Sequence, residues 1–243
     1  AIIIFLNIKK QMELSQLKSD FVSGVSHEIR TPLALISMYI ETLEMGRIKS
    51  QEKVREYYNV ILTETTRLSG IVNRILNFSQ IENNKRKFSF SSVSLNDIAE
   101  TAINSFKHIL ESKGFTYTFE PAESLPPVLG DHEAISDAVN NLIDNAIKYS
   151  KDNKVLYVRT GIIDAQVYLE VQDQGIGIST KHQRLIFDKF FRVSEKNLAN
   201  SVKGSGLGLA IVKNIMVAHK GDIMVKSNPG EGSLFRLLFP YRN

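Results

Sequence analysis

Two long stretches of helical apolar period, joined by one short turn, constrain this chain more than any other feature. Leu14, Leu17, Phe21, Val25, Ile29, Pro32 or Leu33, Ile36, Ile40 and Leu43 follow steps of three and four, the mark of a helix with one buried stripe. The spacing predicts a first helix from about Ile8 to Met45. Gly46 to Ser50 reads as a turn, with glycine at a C-cap and serine at the next N-cap. Val54, Tyr58, Ile61, Thr65, Leu68, Val72, Ile75 and Ser79 then repeat the pattern. Two such helices form an antiparallel hairpin, which alone leaves a long apolar stripe wet. Pairing two copies as a four-helix bundle covers it, so a homodimer is expected.

One stretch of the first helix carries chemistry. At about 100° per residue, His27 lies about 160° from Val25 and Ile29, so the seam faces a partner and the imidazole faces water. Thr31 is one turn further along the same face. Pro32 denies an N–H to the Glu28 carbonyl and its ring crowds that carbonyl, so a kink is expected beside His27. A His-Glu pair on a helix also opens a zinc motif, but Thr31 stands where the second histidine belongs and the chain has no cysteine.

Composition excludes several classes. An apolar content of 43% supports a packed core, and 243 residues suffice for one large domain or two small ones. The net charge of +4 is mild and the basic residues are scattered, which argues against nucleic acid as a partner. Zero cysteines exclude a disulfide framework. The opening Ala1 to Ile8 is apolar but too short to span a bilayer. It reads either as the end of a transmembrane helix followed by cytoplasmic Lys9-Lys10, or as the first turns of the amphipathic helix.

Beyond a polar, basic linker near Asn83 to Lys87 the pattern becomes mixed. Phe88 to Phe90 alternates like a strand. Ser94 opens a helix to about Lys113, stopped by Gly114. Phe115 to Phe119 alternates again, and prolines 121, 126 and 127 with Gly130 mark a loop. Asp131 caps a helix from His132 to about Lys148. Strands are expected at Val155–Val158 and Val167–Val171, with a short helix around Lys181–Ile186. A long aperiodic stretch then leads to a helix from Leu207 to His219 and strands at Asp222–Ser227 and Ser233–Phe239. This second half is expected to be an α/β sandwich with helices on one face of a mixed sheet.

Three clusters in it carry chemical meaning. Asn141, Asn145 and Lys148 share one helix face within about 60°. An asparagine carbonyl is a ligand for Mg²⁺ and an ammonium a partner for phosphate oxygens. Asp173-Gln174-Gly175-Ile176-Gly177-Ile178 follows a strand; its carboxylate can accept from an adenine amino group, and the glycines let a purine lie against bare backbone. Gly204-Ser205-Gly206-Leu207-Gly208-Leu209 opens a helix, where free N–H groups favour an anion. Its spacing is not that of a P-loop, and its glycines do not follow the first strand of a βαβ unit, which disfavours a dinucleotide fold. The aperiodic stretch between these two is expected to be a lid.

In this order the motifs resemble those of the sensor histidine kinases of two-component systems. Phe21–Leu33 is similar to the phosphoacceptor box, Asn141–Ser150 to the N box, Asp173–Ile178 and Gly204–Leu209 to the two glycine boxes, and Phe187–Arg192 to the F box. The resemblance runs from about Leu14 to Tyr241. It implies an α+β chain of two domains, a helical hairpin forming a dimeric four-helix bundle followed by an α/β sandwich that binds ATP. Residues 1–13 would start a signalling helix, 14–84 the dimerisation and phosphotransfer hairpin, 85–92 a linker and 93–243 the ATP-binding domain. It further implies His27 as phosphoacceptor, Glu28 as its base or hydrogen-bond acceptor, and Thr31 as the residue that orients water in dephosphorylation of the partner. Asn145 would hold Mg²⁺, Asn141 and Lys148 the phosphates, Asp173 the adenine, and Arg192 the γ-phosphate. Tyr149, Gly175, Gly177, Phe190, Gly204, Gly206, Leu207 and Gly208 would line the nucleotide. The implied partner is the receiver domain of a response regulator, and the implied setting is the cytoplasmic side of a membrane-anchored sensor. The competing expectation is a catalytically silent dimeric scaffold that retains the nucleotide fold.

Overall fold

The computed structural model describes residues 2–46, 48, 50–82, 86–191 and 206–241. They form two compact units, a helical hairpin and an α/β unit.

In the hairpin, α1 (Ile2–Glu44) and α2 (Gln51–Glu82) run antiparallel. Phe21 meets Phe78 with ring centroids 6.4 Å apart, and Tyr39 meets Tyr57 edge-on at 4.7 Å. The turn forms at the expected residues: Gly46 takes φ +64°, and Ser50 Oγ accepts from the Lys53 amide at 3.4 Å. α1 reaches back to Ile2, six residues before the expected start at Ile8, so the opening apolar residues are helical. Among the described residues no helix is long and apolar enough to cross a membrane.

The seam is more divided than the period suggests. Pro32, not Leu33, is the buried member on α1; on α2, Ile71 and Phe78 are buried. Tyr58, Val72 and Ile40, expected in the seam, are exposed, as are Leu62 and Leu76. The apolar stripe of α2 is therefore wider than one neighbouring helix covers. One edge of it packs on α1 and the other stays open.

The α/β unit begins with β1 (Ser91–Val93), followed by α3 (Leu95–Ser112), β2 (Thr116–Glu120), β3 (Val128–Gly130) and α4 (His132–Tyr149). β4 (Val155–Ile163) and β5 (Gln166–Asp173) follow, then a short 3-10 turn (Leu185–Phe187), α5 (Gly208–Ala218), β6 (Asp222–Asn228) and β7 (Gly232–Pro240). The main sheet has the order β2-β4-β5-β7-β6. Only β2 and β4 pair in parallel. β4 and β5 are joined by a two-residue turn with Asp164 at φ +47° and Ala165 at φ +58°, the mirror-image turn that matches strand twist.

Three helices pack on one face of this sheet, and the core between them is made of fully buried Leu95, Ile98, Ile135, Leu142, Ile143, Leu156, Leu169, Ile215 and Phe239. On the opposite face, buried Glu170 accepts from Arg159 Nη1 at 3.1 Å and from Arg236 Nη2 at 2.6 Å. Each arginine lies over a tyrosine ring, Arg159 over Tyr157 at 4.7 Å and Arg236 over Tyr168 at 4.5 Å.

Several local expectations change. Phe88–Phe90 is not a strand; the strand is the next three residues, β1, which pairs with β3 inside the segment expected to be loop. The short helix expected at Lys181–Ile186 is turns ending in the 3-10 segment. Of the stretch from about Phe187 to Gly206, expected to be a lid, residues 192–205 lie outside the described residues.

Segment 86–90, expected to be linker, is tied down. Arg86 Nη2 donates to Asp137 at 3.0 Å, and the Ser89 amide donates to Asp131 Oδ2 at 2.7 Å. Phe88 and Phe90 pack on the buried imidazole of His219, with centroids 5.6 and 5.0 Å away. Asp131 also caps α4 through Oδ1, 2.9 Å from the Ala134 amide. Burial opposes the Asp131 charge, but these two amides and Arg86 hold its carboxyl below the usual range. Asp131→Ala is expected to cost about 2 kcal/mol, read as a lower urea midpoint with an unchanged slope.

Candidate functional site

The hairpin presents His27 at its surface, with Glu28 and Thr31 half-buried beside it. Thr31 Oγ1 donates to the His27 carbonyl at 3.1 Å, and Ser26 Oγ to the Val22 carbonyl at 2.7 Å. The helix runs unbroken through Pro32, which packs inside while the imidazole one turn earlier stays in water. An exposed imidazole is a ready nucleophile near neutral pH.

In the α/β unit, α4 carries Asn141, Asn145 and Lys148 on its half-buried flank, while Leu142 and Ala146 point into the core as expected. Asn141 donates to the Asp137 carbonyl at 2.8 Å, which leaves its side-chain oxygen turned toward the start of α5. A Cβ on Gly208 would stand 3.0 Å from that oxygen and 4.0 Å from the Asn145 nitrogen. The bare glycine thus lets α5 begin close against the two amides. Lys148 is engaged by Asp144 at 2.5 Å, one turn back on its own helix.

Asp173 ends β5 and is 6% exposed. Its carboxylate accepts from the Gly175 amide at 2.8 Å and from the Ser233 amide. Burial outweighs these bonds and pushes its carboxyl up to about 6. At its two glycines the following loop has no room for a side chain. A Cβ on Gly175 would lie 2.5 Å from the Tyr149 carbonyl, and one on Gly177, at φ +67°, 1.8 Å from the Asn228 carbonyl. Ile176 is bound on both sides: its amide donates to the Tyr149 carbonyl at 3.1 Å, and its carbonyl accepts from Gly230 at 2.8 Å.

The remaining expected residues divide. Phe190 is half-buried at φ +66°, Gly206 takes φ +69° and Leu207 is fully buried. Arg192 and Gly204 lie outside the described residues. Around the loop the structure also brings in residues that the motifs did not single out: Gln183, Ser227 and Ser233. Ser227 and Ser233 are facing partners on β6 and β7, a register invisible in the sequence. For Mg²⁺ the donor set is spare. Among the described residues no group of three His, Cys, Asp or Glu side chains that could hold a metal ion exists. A single amide oxygen such as that of Asn145 fits a cation held mainly by phosphate oxygens and water, the usual manner of magnesium.

Comparison with known proteins follows the same division. Residues 17–84 match the His Kinase A (phospho-acceptor) domain, and residues 130–243 match the Histidine kinase-, DNA gyrase B-, and HSP90-like ATPase. Sensor protein RprX of Bacteroides fragilis (strain YCH46) is 34% identical over 234 residues, covering 95% of this chain and 45% of that protein. Sensor protein kinase WalK of Staphylococcus saprophyticus is 33% identical over 242 residues, covering 98% of this chain and 39% of that protein. The chain thus spans less than half the length of these curated relatives. Among solved structures, Acinetobacter baumannii histidine kinase AdeS is 25% identical with a TM-score of 0.66, covering 89% of this chain and 98% of that one.

The raised Asp173 sets a sign for stability. A carboxyl that ionises near 6 when folded and at 3.8 when free stabilises the fold below 3.8 and loses that contribution as pH rises through about 6. Between about pH 4.5 and 7.5, wild-type stability relative to Asp173→Asn is expected to fall by about 2 kcal/mol, measured by urea unfolding without nucleotide.

Proposed function

The chain belongs to the sensor histidine kinase family, and we propose that it phosphorylates itself on His27 with ATP and passes the phosphoryl group to an aspartate in the receiver domain of a response regulator. Dephosphorylation of that regulator, with Thr31 orienting water, belongs to the same proposal.

The observation that carries this reading is the Asp173 carboxylate: buried, held by two backbone amides and walled by glycine backbone. Such an acceptor suits the exocyclic amino group of adenine. Asn141 and Lys148 are assigned to the phosphates, which requires Lys148 to exchange Asp144 for a phosphate oxygen. Gly208 leaves the first turn of α5 open to an anion. Asn145 is assigned to Mg²⁺, which when bound neutralises charge on the phosphate oxygens.

The step itself asks little covalent work of the protein. The unprotonated nitrogen of His27 attacks the γ-phosphorus in line. An N–P bond forms as the bond to the bridging oxygen breaks, and ADP leaves with that electron pair. The proton on the other ring nitrogen passes to Glu28 or to water. In the second transfer the receiver aspartate attacks the same phosphorus and the imidazole leaves.

We assign 14–84 to the phosphotransfer hairpin, 85–92 to a linker and 93–243 to the ATP-binding domain. Two copies pair through the hairpin, which is supported by the open edge of α2 at Tyr58, Leu62, Val72 and Leu76. The setting is the cytoplasmic side of a membrane-anchored sensor.

His27→Ala is expected to abolish acid-labile labelling from ATP while leaving ADP affinity within about two-fold; labelling that persists would refute the assignment. Glu28→Gln is expected to slow labelling by roughly a hundred-fold without changing the KM for ATP, as for loss of a general base. Thr31→Ala should keep labelling intact and slow loss of phosphate from the regulator, followed by phosphate release.

A further inference from the structure

The loop that carries Asp173 is fastened on its outer side by one side chain to which no role has been given. Gln183 lies five residues beyond Ile178, in the turns before the 3-10 segment, and is half-buried. Its side-chain nitrogen donates both hydrogens: one to the Ile178 carbonyl at 3.1 Å, the other to the Ser227 carbonyl at 2.7 Å. Ser227 in turn accepts from the Ile178 amide through Oγ at 2.8 Å. Its single proton goes to the Gly232 carbonyl at 2.7 Å, so the Ser233 hydroxyl, 2.9 Å away, is the donor toward it. Ser233 is the residue whose amide holds the Asp173 carboxylate.

These bonds make a closed strut. Both polar groups of Ile178 end on the strut, one through Gln183 and one through Ser227. Next to them, Gly177 fits against the Asn228 carbonyl with no space to spare. The loop from Asp173 to Ile178 therefore takes its position from the β6–β7 hairpin, and Gln183, which belongs to neither, hydrogen-bonds both. We propose that Gln183 is a positioning residue for the purine end of the nucleotide site. The inference rests on the nucleotide reading given above. Gln183 touches neither Asp173 nor the phosphate-side amides, so its effect is exerted through the loop and is confined to recognition of the base.

The test uses the whole chain with Gln183→Met, which keeps length and removes both donors, and Gln183→Glu, which sets acceptors against two carbonyl oxygens. ADP affinity is read by calorimetry, KM and kcat for ATP by labelling, and integrity by the thermal midpoint. Loss of both bonds is expected to weaken ADP and raise the KM for ATP roughly ten-fold, with kcat at saturating ATP unchanged. Ser227→Ala, which removes the other arm of the strut, is expected to do the same, and the double variant to lose less than the two effects multiplied. Unchanged ADP affinity and KM in Gln183→Met overturn the proposal. So does a fall in kcat that follows the thermal midpoint, which is the mark of a structural role alone. Failure of the wild-type chain to bind ADP is a different result, visible before any variant is made, and overturns the nucleotide reading itself.

Discussion

The α/β unit hangs on one neutral imidazole. The amide of Asp131 donates to His219 Nε2 at 2.9 Å, which forces that nitrogen to be an acceptor and puts the ring proton on Nδ1, 2.7 Å from the Ile215 carbonyl. One ring therefore joins the cap of α4 to the last turn of α5. Burial and the nearby Arg86 lower the His219 pKa against the opposing pull of Ile215 and Asp131, which keeps the ring in this form. Phe88, Phe90 and Phe239 enclose it. The two helices so joined are the ones that bring Asn141, Asn145 and Gly208 together.

The loop from Asp173 to Ile178 shows a second kind of constraint, in which space rather than bonding decides. Gly175 is pressed on the end of α4 and Gly177 on the β6–β7 hairpin, so the loop is a wedge between two rigid neighbours. A methyl group at either position meets a carbonyl oxygen. The freedom of these glycines is used for close approach, and the bonds at Ile176 and Ile178 then lock a path that only a bare backbone can take.

Much of this was legible because the signals were local. Ser94 and Asp131 sit where a capping side chain belongs, and both accept from the amide three residues on. The period of α1 placed His27 opposite the seam, and the structure leaves it exposed. What escaped was held by long-range partners. Val128–Gly130 is a strand only because Ser91–Val93 lies beside it, amid prolines that read as loop. Phe88 and Phe90 mimic a strand, yet both rings turn to the same imidazole. A wet stripe on the hairpin was expected, but which residues of α2 lie on its open edge was not, because period gives a face and not its width. Gln183 and Ser227 carry no pattern at all, being forty-four positions apart and joined only by the fold.

The open face of the sheet has a consequence for how this chain varies. Glu170 balances two guanidinium groups that are themselves laid over tyrosine rings. Loss of the acid alone takes the carboxylate from Arg236 and leaves Arg159 to Glu120 and Gln172, a cost below the roughly 3–5 kcal/mol of breaking a fully buried pair. Position 236 is therefore tied to 170 more tightly than 159 is, and relatives that lose the acid are expected to have changed 236 with it while 159 stays charged beside an acid at 120.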